Sequence, residues 1–279
     1  MHFPRHWRIA KRGDVSAWGW SDESPAHAEA RAAERLTKVL DRLARDPKTP
    51  AQRYGYPDRP MREEVLREFR STDGALDAAV TRNSYGCLVL NTARMMFVDV
   101  DAPEAKQSGF LAGLFGFRKP KARRPEEFTE GVMARVEQWL ARRPDWGWRV
   151  YRTRAGMRLL ATHQFVPPEV AECHEAFEAF GADLLYRRLC ANQKCFRARL
   201  SPKPWRCGVE KPRGRWPWAN EKTKAKFRQW EANYFAAAKD YATCQFLGQF
   251  GQAVIHPALQ HLVAFHDETT RVASGLPLA

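Results

Sequence analysis

Apolar positions along the chain change period several times, and each change predicts an element. HWRIAKRGDVSAWGWSDES reads as two short strands around Arg12 to Asp14. Ser21 or Ser24 then caps a helix rich in Ala, Glu and Arg that ends near Asp46. Pro47 to Pro60 reads as a loop, followed by helical stretches in REEVLREF and GALDAAVTR. After Tyr85 the pattern becomes extended: CLVLNT and ARMMFVDVD read as two strands, or as one strand interrupted near Asn91. PEEFTEGVMARVEQWLARRP places Phe128, Val132, Val136, Trp139 and Leu140 on one helical stripe. WRVYRT and MRLLATH form a hairpin turning at Arg154 to Gly156, PEVAECHEAFEAFG is a helix, and CFRARL is a last strand stopped by Pro202 and Pro204. Asn220 to Gln249 reads as one long helix.

In order, Arg94 to Pro204 is strand, helix, strand, strand, helix, strand. This is the split βαβ, ferredoxin-like or palm-like, pattern: an α+β fold with an antiparallel sheet carrying both helices on one face. It predicts an N-terminal hairpin and helical region over 1–84, an α+β core over 85–208, and a basic linker with C-terminal helices over 209–279, together forming one compact unit. The usual strand order puts FVDVD in the middle, between MRLLATH and CFRARL.

Candidate chemistry centres on FVDVD. Side chains at i and i+2 of a strand share a face, so Asp99 and Asp101 look the same way, about 7 Å apart. Two carboxylates this close repel unless a cation sits between them. Asp99 and Asp101 are expected on the open side of the sheet and Val98 and Val100 toward the helices. Arg158, Arg197, Arg199, Arg152 and Arg154 are within reach of the acids. Two readings stand at this point: the acids hold Mg²⁺ or Mn²⁺ while the arginines hold phosphates, or Arg197 and Arg199 pair with the acids and no metal binds.

Composition adds a partner class. The 279 residues carry a net charge of +14, and Arg197 to Arg228 hold 11 Lys or Arg against Glu210 and Glu221. Trp205, Trp216 and Trp218 are interleaved with them. Cations neutralise phosphates and flat rings stack on unpaired bases, so this stretch fits a single-stranded nucleic acid. No apolar run is long enough to span a membrane, and the N-terminus lacks a secretory core, so the expected location is cytoplasmic. Ala102 to Pro125 reads as a mobile loop; its basic end, Phe110 to Arg124, could instead contact a membrane or protein. Six scattered cysteines fit reduced thiols. Cys190, Cys195 and Cys207, with Cys173 and His174, could supply zinc ligands, but no CxxC pair is present. His256, His261 and His266 recur every five residues and do not line one helical face.

FVDVD, the glycine hairpin YRTRAGMRLL and the basic last strand together resemble the archaeo-eukaryotic primase superfamily over about 120 residues. The resemblance implies a metal-dependent nucleotidyltransferase acting on nucleic acid and nucleoside triphosphates. It places metal at Asp99 and Asp101 with Asp183 as a third acid. The incoming nucleotide falls at Arg152, Thr153, Arg154 and Gly156, with Arg158 where that family has a histidine; His163 lies five residues beyond, on the opposite face. Arg197, Arg199, Lys203, Trp205 and Arg206 would guide a template or product strand. A catalytically silent single-strand binder with the same fold is the alternative expectation.

Overall fold

The computed structural model describes residues 1–45, 60–103 and 125–279, and the chain is a mixed α+β protein with antiparallel sheets. The expected loops over Pro47 to Pro60 and Ala102 to Pro125, with Phe110 to Arg124, lie, apart from their end residues, outside the described residues. Two compact units divide the chain: Met1–Ala93 with Arg188–Lys239, and Arg94–Arg187 with Asp240–Ala279. The boundaries expected after residues 84 and 208 do not coincide with these, because each unit is built from two separate stretches of the chain.

The first unit opens with the expected hairpin, β1 (His6–Arg12) and β2 (Val15–Ser21). Gly13, at φ +57°, supplies the left-handed turn residue. Ser24 Oγ then accepts the His27 amide, starting α1 (Pro25–Arg45) with the hydroxyl cap its sequence advertised. Ala28, Ala32 and Leu36 are the buried stripe of α1. The helix backbone comes so close to the hairpin that a Cβ on Gly19 would stand 2.2 Å from the Ala28 carbonyl oxygen.

A second sheet in this unit has the order β3 (Glu64–Arg70), β4 (Leu76–Arg82), β5 (Leu88–Thr92), β9 (Phe196–Arg199). REEVLREF and GALDAAVTR are therefore strands and not helices. Their Glu, Leu, Arg and Ala content favours helix, but the Ser71-Thr72-Asp73-Gly74 turn folds them into a hairpin. Gly74 sits at φ +83°, its amide reaches the Ser71 carbonyl at 2.9 Å, and Asp73 Oδ1 accepts the Ala75 amide at 3.1 Å. β4 lies between β3 and β5, with Ala78 to Arg82 all buried. Tertiary pairing here overrides local propensity. Helix α5 (Glu221–Ala238) buries Phe227, Tyr234 and Ala238, and the Tyr234 hydroxyl donates to the Pro202 carbonyl at 2.6 Å.

The second unit holds a four-stranded sheet in the order β10 (Cys244–Gly251), β7 (Gly147–Thr153), β8 (Gly156–Ala161), β6 (Phe97–Asp101). Helices α2 (Pro125–Arg142), α3 (Ala171–Phe180) and α6 (Pro257–Thr270) belong to it, and α4 (Leu184–Gln193) crosses the boundary. Strand, helix, hairpin, helix arrive as the sequence predicts, but the fourth strand does not. β9 pairs with β5 in the first unit, so among the described residues β6 is an edge strand with β8 as its one neighbour. The vacant place in the order is on the far side, where β10 pairs with β7. The long helix expected to run to Gln249 stops at Ala238, and its C-terminal third supplies this strand.

One sheet face carries Trp148, Val150, Leu159 and Val98, under α2 and α3. Trp139 of α2 meets Trp146 at 5.0 Å, and Phe180 of α3 meets Trp148 at 5.0 Å. The opposite face carries Phe97, Asp99, Arg158, Tyr151 and Arg149. Expected to be open, it is covered over Phe97 and Tyr151 by α6, whose His266 ring lies 5.4 and 5.0 Å from theirs.

Gly156 is held by the strand pair itself: a Cβ there would stand 2.1 Å from the Val100 carbonyl oxygen of β6. Gly156→Ala is expected to destabilise the protein by about 1–3 kcal/mol through backbone displacement, read as a lower urea midpoint.

Candidate functional site

The pairing of β6 with β8 sets Asp99 directly opposite Arg158. Opposite positions on one sheet face are close enough for their side chains to meet. Arg158 Nε donates to Asp99 Oδ1 at 2.8 Å and Nη2 to Oδ2 at 3.1 Å, a two-pronged pair that uses both carboxylate oxygens. The cation expected beside the acids is therefore an arginine, and it is Arg158 rather than Arg197 or Arg199. Arg158 is 2 % exposed, and its remaining Nη1 donates to His266 Nε2 at 3.3 Å and approaches Cys244 Sγ at 3.7 Å.

From His266 the network continues across the sheet. Its Nδ1 lies 2.9 Å from Asp267 Oδ1, which also accepts the Tyr151 hydroxyl at 2.7 Å; Arg149 pairs with the other oxygen of Asp267. Because Arg158 can only donate, Nε2 of His266 is the acceptor and Nδ1 carries the proton. The imidazole is thus neutral, and burial together with the Arg158 charge lowers its pKa. Burial would lower the pKa of Arg158 too, but Asp99 outweighs it and keeps the guanidinium charged. Burial would raise that of Asp267, but the hydrogen bonds from His266 and Tyr151 and the charge of Arg149 bring it below the ordinary carboxylate value. Asp99, Arg158, His266, Asp267, Tyr151 and Arg149 each have a charge or hydrogen-bond partner in this network, the condition under which buried ions are tolerated.

The remaining residues expected at a nucleotide site are dispersed. Arg152 lies on the α2 face of β7, with Nη2 3.5 Å from Thr129 Oγ1, so it points away from Asp99. Thr153 is half-buried beside Gly156, and Arg154 is exposed in the turn. Asp183 caps α4, Oδ1 accepting the Tyr186 amide at 2.9 Å. Arg197 and Arg199 stand in β9 of the other unit, and Arg197 pairs with buried Glu63 at 2.6 Å. His163 lies against Trp146 with ring centroids 4.3 Å apart, and burial pushes its pKa down to about 4.

A divalent ion implied by the primase resemblance does not fit this donor set. Both Asp99 oxygens already accept from Arg158, Asp183 is used as a helix cap, and no group of three or more His, Cys, Asp or Glu side chains among the described residues could hold a metal. That includes Cys190, Cys195 and Cys207: all six cysteines are buried. Arg158, with its donors committed to Asp99, His266 and Cys244, is not placed to hold a phosphate. No helix among the described residues is long and apolar enough to cross a membrane.

The second candidate is in the first unit, where the basic stretch carries exposed rings. Pro204–Arg206 forms one 3₁₀ turn after β9, with Trp205 43 % exposed. Tyr85, also 43 % exposed, projects from the β4–β5 turn, where Asn83 Oδ1 accepts the amides of Tyr85 and Cys87 and Gly86 takes φ +81°. The two rings meet edge to face at 5.3 Å. Lys211 Nζ lies 4.8 Å from the Trp205 centroid and 5.5 Å from that of Tyr85, and Lys203 Nζ lies 5.5 Å from Trp205. Trp205 is exposed, and Lys203 and Arg206 are half-buried beside it. Tyr85 and Lys211 were missed as site residues. The signal for Tyr85 was Asn-Ser-Tyr-Gly, a turn that displays its third residue.

No family model, curated protein or solved structure matches the chain.

Two outcomes follow from the buried network. Asp99→Ala leaves Arg158 as an uncompensated buried charge and is expected to cost about 3–5 kcal/mol in urea unfolding, whereas Asp101→Ala, at an exposed position, costs less than about 1 kcal/mol. His163 and His266 have folded pKa values below the unfolded value of 6.5, so the unfolded chain binds protons first as pH falls. The urea midpoint should drop as pH falls through 6.5 toward 4, with His163→Gln reducing the drop.

Proposed function

We propose that the protein binds single-stranded nucleic acid through the Tyr85–Trp205 platform and its lysines. The observation that carries this reading is the pair of aromatic rings, each 43 % exposed, with two ammonium groups held within 5.5 Å of their centres. Large rings are costly to leave in water, and a base stacked on one is worth about 1–3 kcal/mol. An exposed cation–π contact is worth only about 0.5–1 kcal/mol. A base therefore displaces an ammonium from the ring face at net gain, and the displaced lysine moves to the flanking phosphate. Stacking of this kind tolerates any base, so the recognition expected is of unpaired strands more than of sequence.

The charge distribution supports the same reading, since eleven cations against two acids fall between Arg197 and Arg228, within the platform's own unit. Nucleotidyl transfer, which the primase resemblance implies, has less support. It would require Asp99 to leave Arg158 and so expose a buried positive charge, at a cost comparable to much of a domain's stability.

A short single-stranded oligonucleotide titrated against intrinsic tryptophan fluorescence tests this. Trp205→Ala and Tyr85→Ala should each weaken binding roughly 5- to 100-fold. Lys211→Gln should lower the slope of log K against log salt by about 0.7, the value for one single-strand phosphate contact. Wild-type affinity that does not change with salt would be incompatible with phosphate contacts.

A further inference from the structure

Next to the platform is a cavity of about 380 Å³ between the loop after Gly208 and the first turns of α5. Its lining includes Lys211, Arg213, Lys226, Thr223, Phe227 and Trp230. The cavity and the platform are joined twice. Lys211 lines one and touches both rings of the other. Trp230, a wall of the cavity, packs on Gly86, the neighbour of Tyr85, so closely that a Cβ on that glycine would stand 2.3 Å from the indole. Trp230 is fixed there by its Nε1, which donates to the Glu210 carbonyl at 2.8 Å, and by stacking on Tyr234 at 5.1 Å.

The charge in this cavity is unspent. Elsewhere the chain pairs its arginines with carboxylates: Arg82 with Glu64 and Glu231, Arg197 with Glu63, Arg228 with Glu231. Lys211, Arg213 and Lys226 have no carboxylate partner among the described residues, and Glu210 is the one acid in the lining. Three cations focused on so small a volume attract more than the single charge of an internal phosphodiester. A phosphomonoester carries about −1.5 to −2 at neutral pH and three acceptor oxygens. The volume lies in the range that encloses a small ligand, and the aromatic wall offers a face for the attached base or sugar.

Resting on the platform reading, we propose that this cavity binds the terminal phosphomonoester of a strand whose neighbouring bases stack on Tyr85 and Trp205. Strand ends are then distinguished from strand interiors, and phosphorylated ends from hydroxyl ends. Lys211 is shared between stacking and end recognition; Arg213 and Lys226 add to the basic field around the platform and face the end directly.

The test compares three 12-nucleotide oligothymidylates, bearing a 5′-phosphate, a 3′-phosphate, or hydroxyls at both ends, binding to the full chain. At least one phosphorylated strand should bind 5-fold or more tighter than the hydroxyl strand. The double substitution Arg213→Gln with Lys226→Gln should remove that difference, weakening the phosphorylated strand at least 5-fold more than the hydroxyl strand. Equal binding of all three strands overturns the cavity assignment and leaves the platform standing; so does a preference that survives the double substitution. Failure of every strand to bind overturns the platform and the cavity assignment with it. Thymidine 5′-monophosphate should compete at least 10-fold more weakly than the phosphorylated strand. Equal competition would assign the cavity to a free nucleotide and overturn the strand-end proposal.

Discussion

The second unit depends on one buried positive charge. Arg158 lies mid-sheet at 2 % exposure, and moving an ion there from water costs several kcal/mol before any contact is made. Asp99 offsets that cost only if β6 and β8 keep the register that sets the two residues opposite. His266 offsets more of it only if α6 lies across the sheet with its Nε2 turned inward. Strand register, helix placement and imidazole tautomer thus follow from a single guanidinium. Asp267, Tyr151 and Arg149 extend the constraint to β7, so three strands and a helix share one polar network.

The same constraint decides what the paired aspartates can do. A carboxylate with both oxygens accepting from a guanidinium is a poor ligand for a hard cation, which prefers oxygens with free lone pairs. The Asp-x-Asp pattern is real in the chain, and its two members share a face as the strand period requires. They have separate environments: Asp99 is a structural counter-ion and Asp101 is exposed at the strand end. The functional surface best supported lies instead in the other unit, where rings are exposed and cations outnumber acids.

Local signals in the sequence were sound where the partners are close along the chain. The Gly13 turn, the Ser24 cap, the α2 stripe and the two-residue turn before Gly156 each depend on a few adjacent residues, and each element formed. Distant pairings were not legible. Phe196–Arg199 is a strand either way, but nothing in FRAR says that it joins LVLNT rather than FVDVD. The β3–β4 hairpin was hidden by helix-favouring residues, though Ser-Thr-Asp-Gly marked its turn. β10 was hidden by the apparent continuation of α5, so the fourth place in the sheet fell to CFRARL. His266 was set aside because five-residue spacing does not line one helical face; what mattered was that single histidine, not the series. At the candidate surface, Lys203 and Trp205 were legible from composition, while Tyr85 required knowing that residues 120 positions apart meet.

Titrating Mn²⁺ during urea unfolding tests most directly whether the charge of Asp99 is spent within the protein or is free for an ion. An ion bound by the native state alone raises stability with concentration by mass action. The account predicts a midpoint unchanged from zero to millimolar Mn²⁺ at constant ionic strength. A midpoint that climbs with Mn²⁺, and stops climbing in Asp101→Ala, would contradict it.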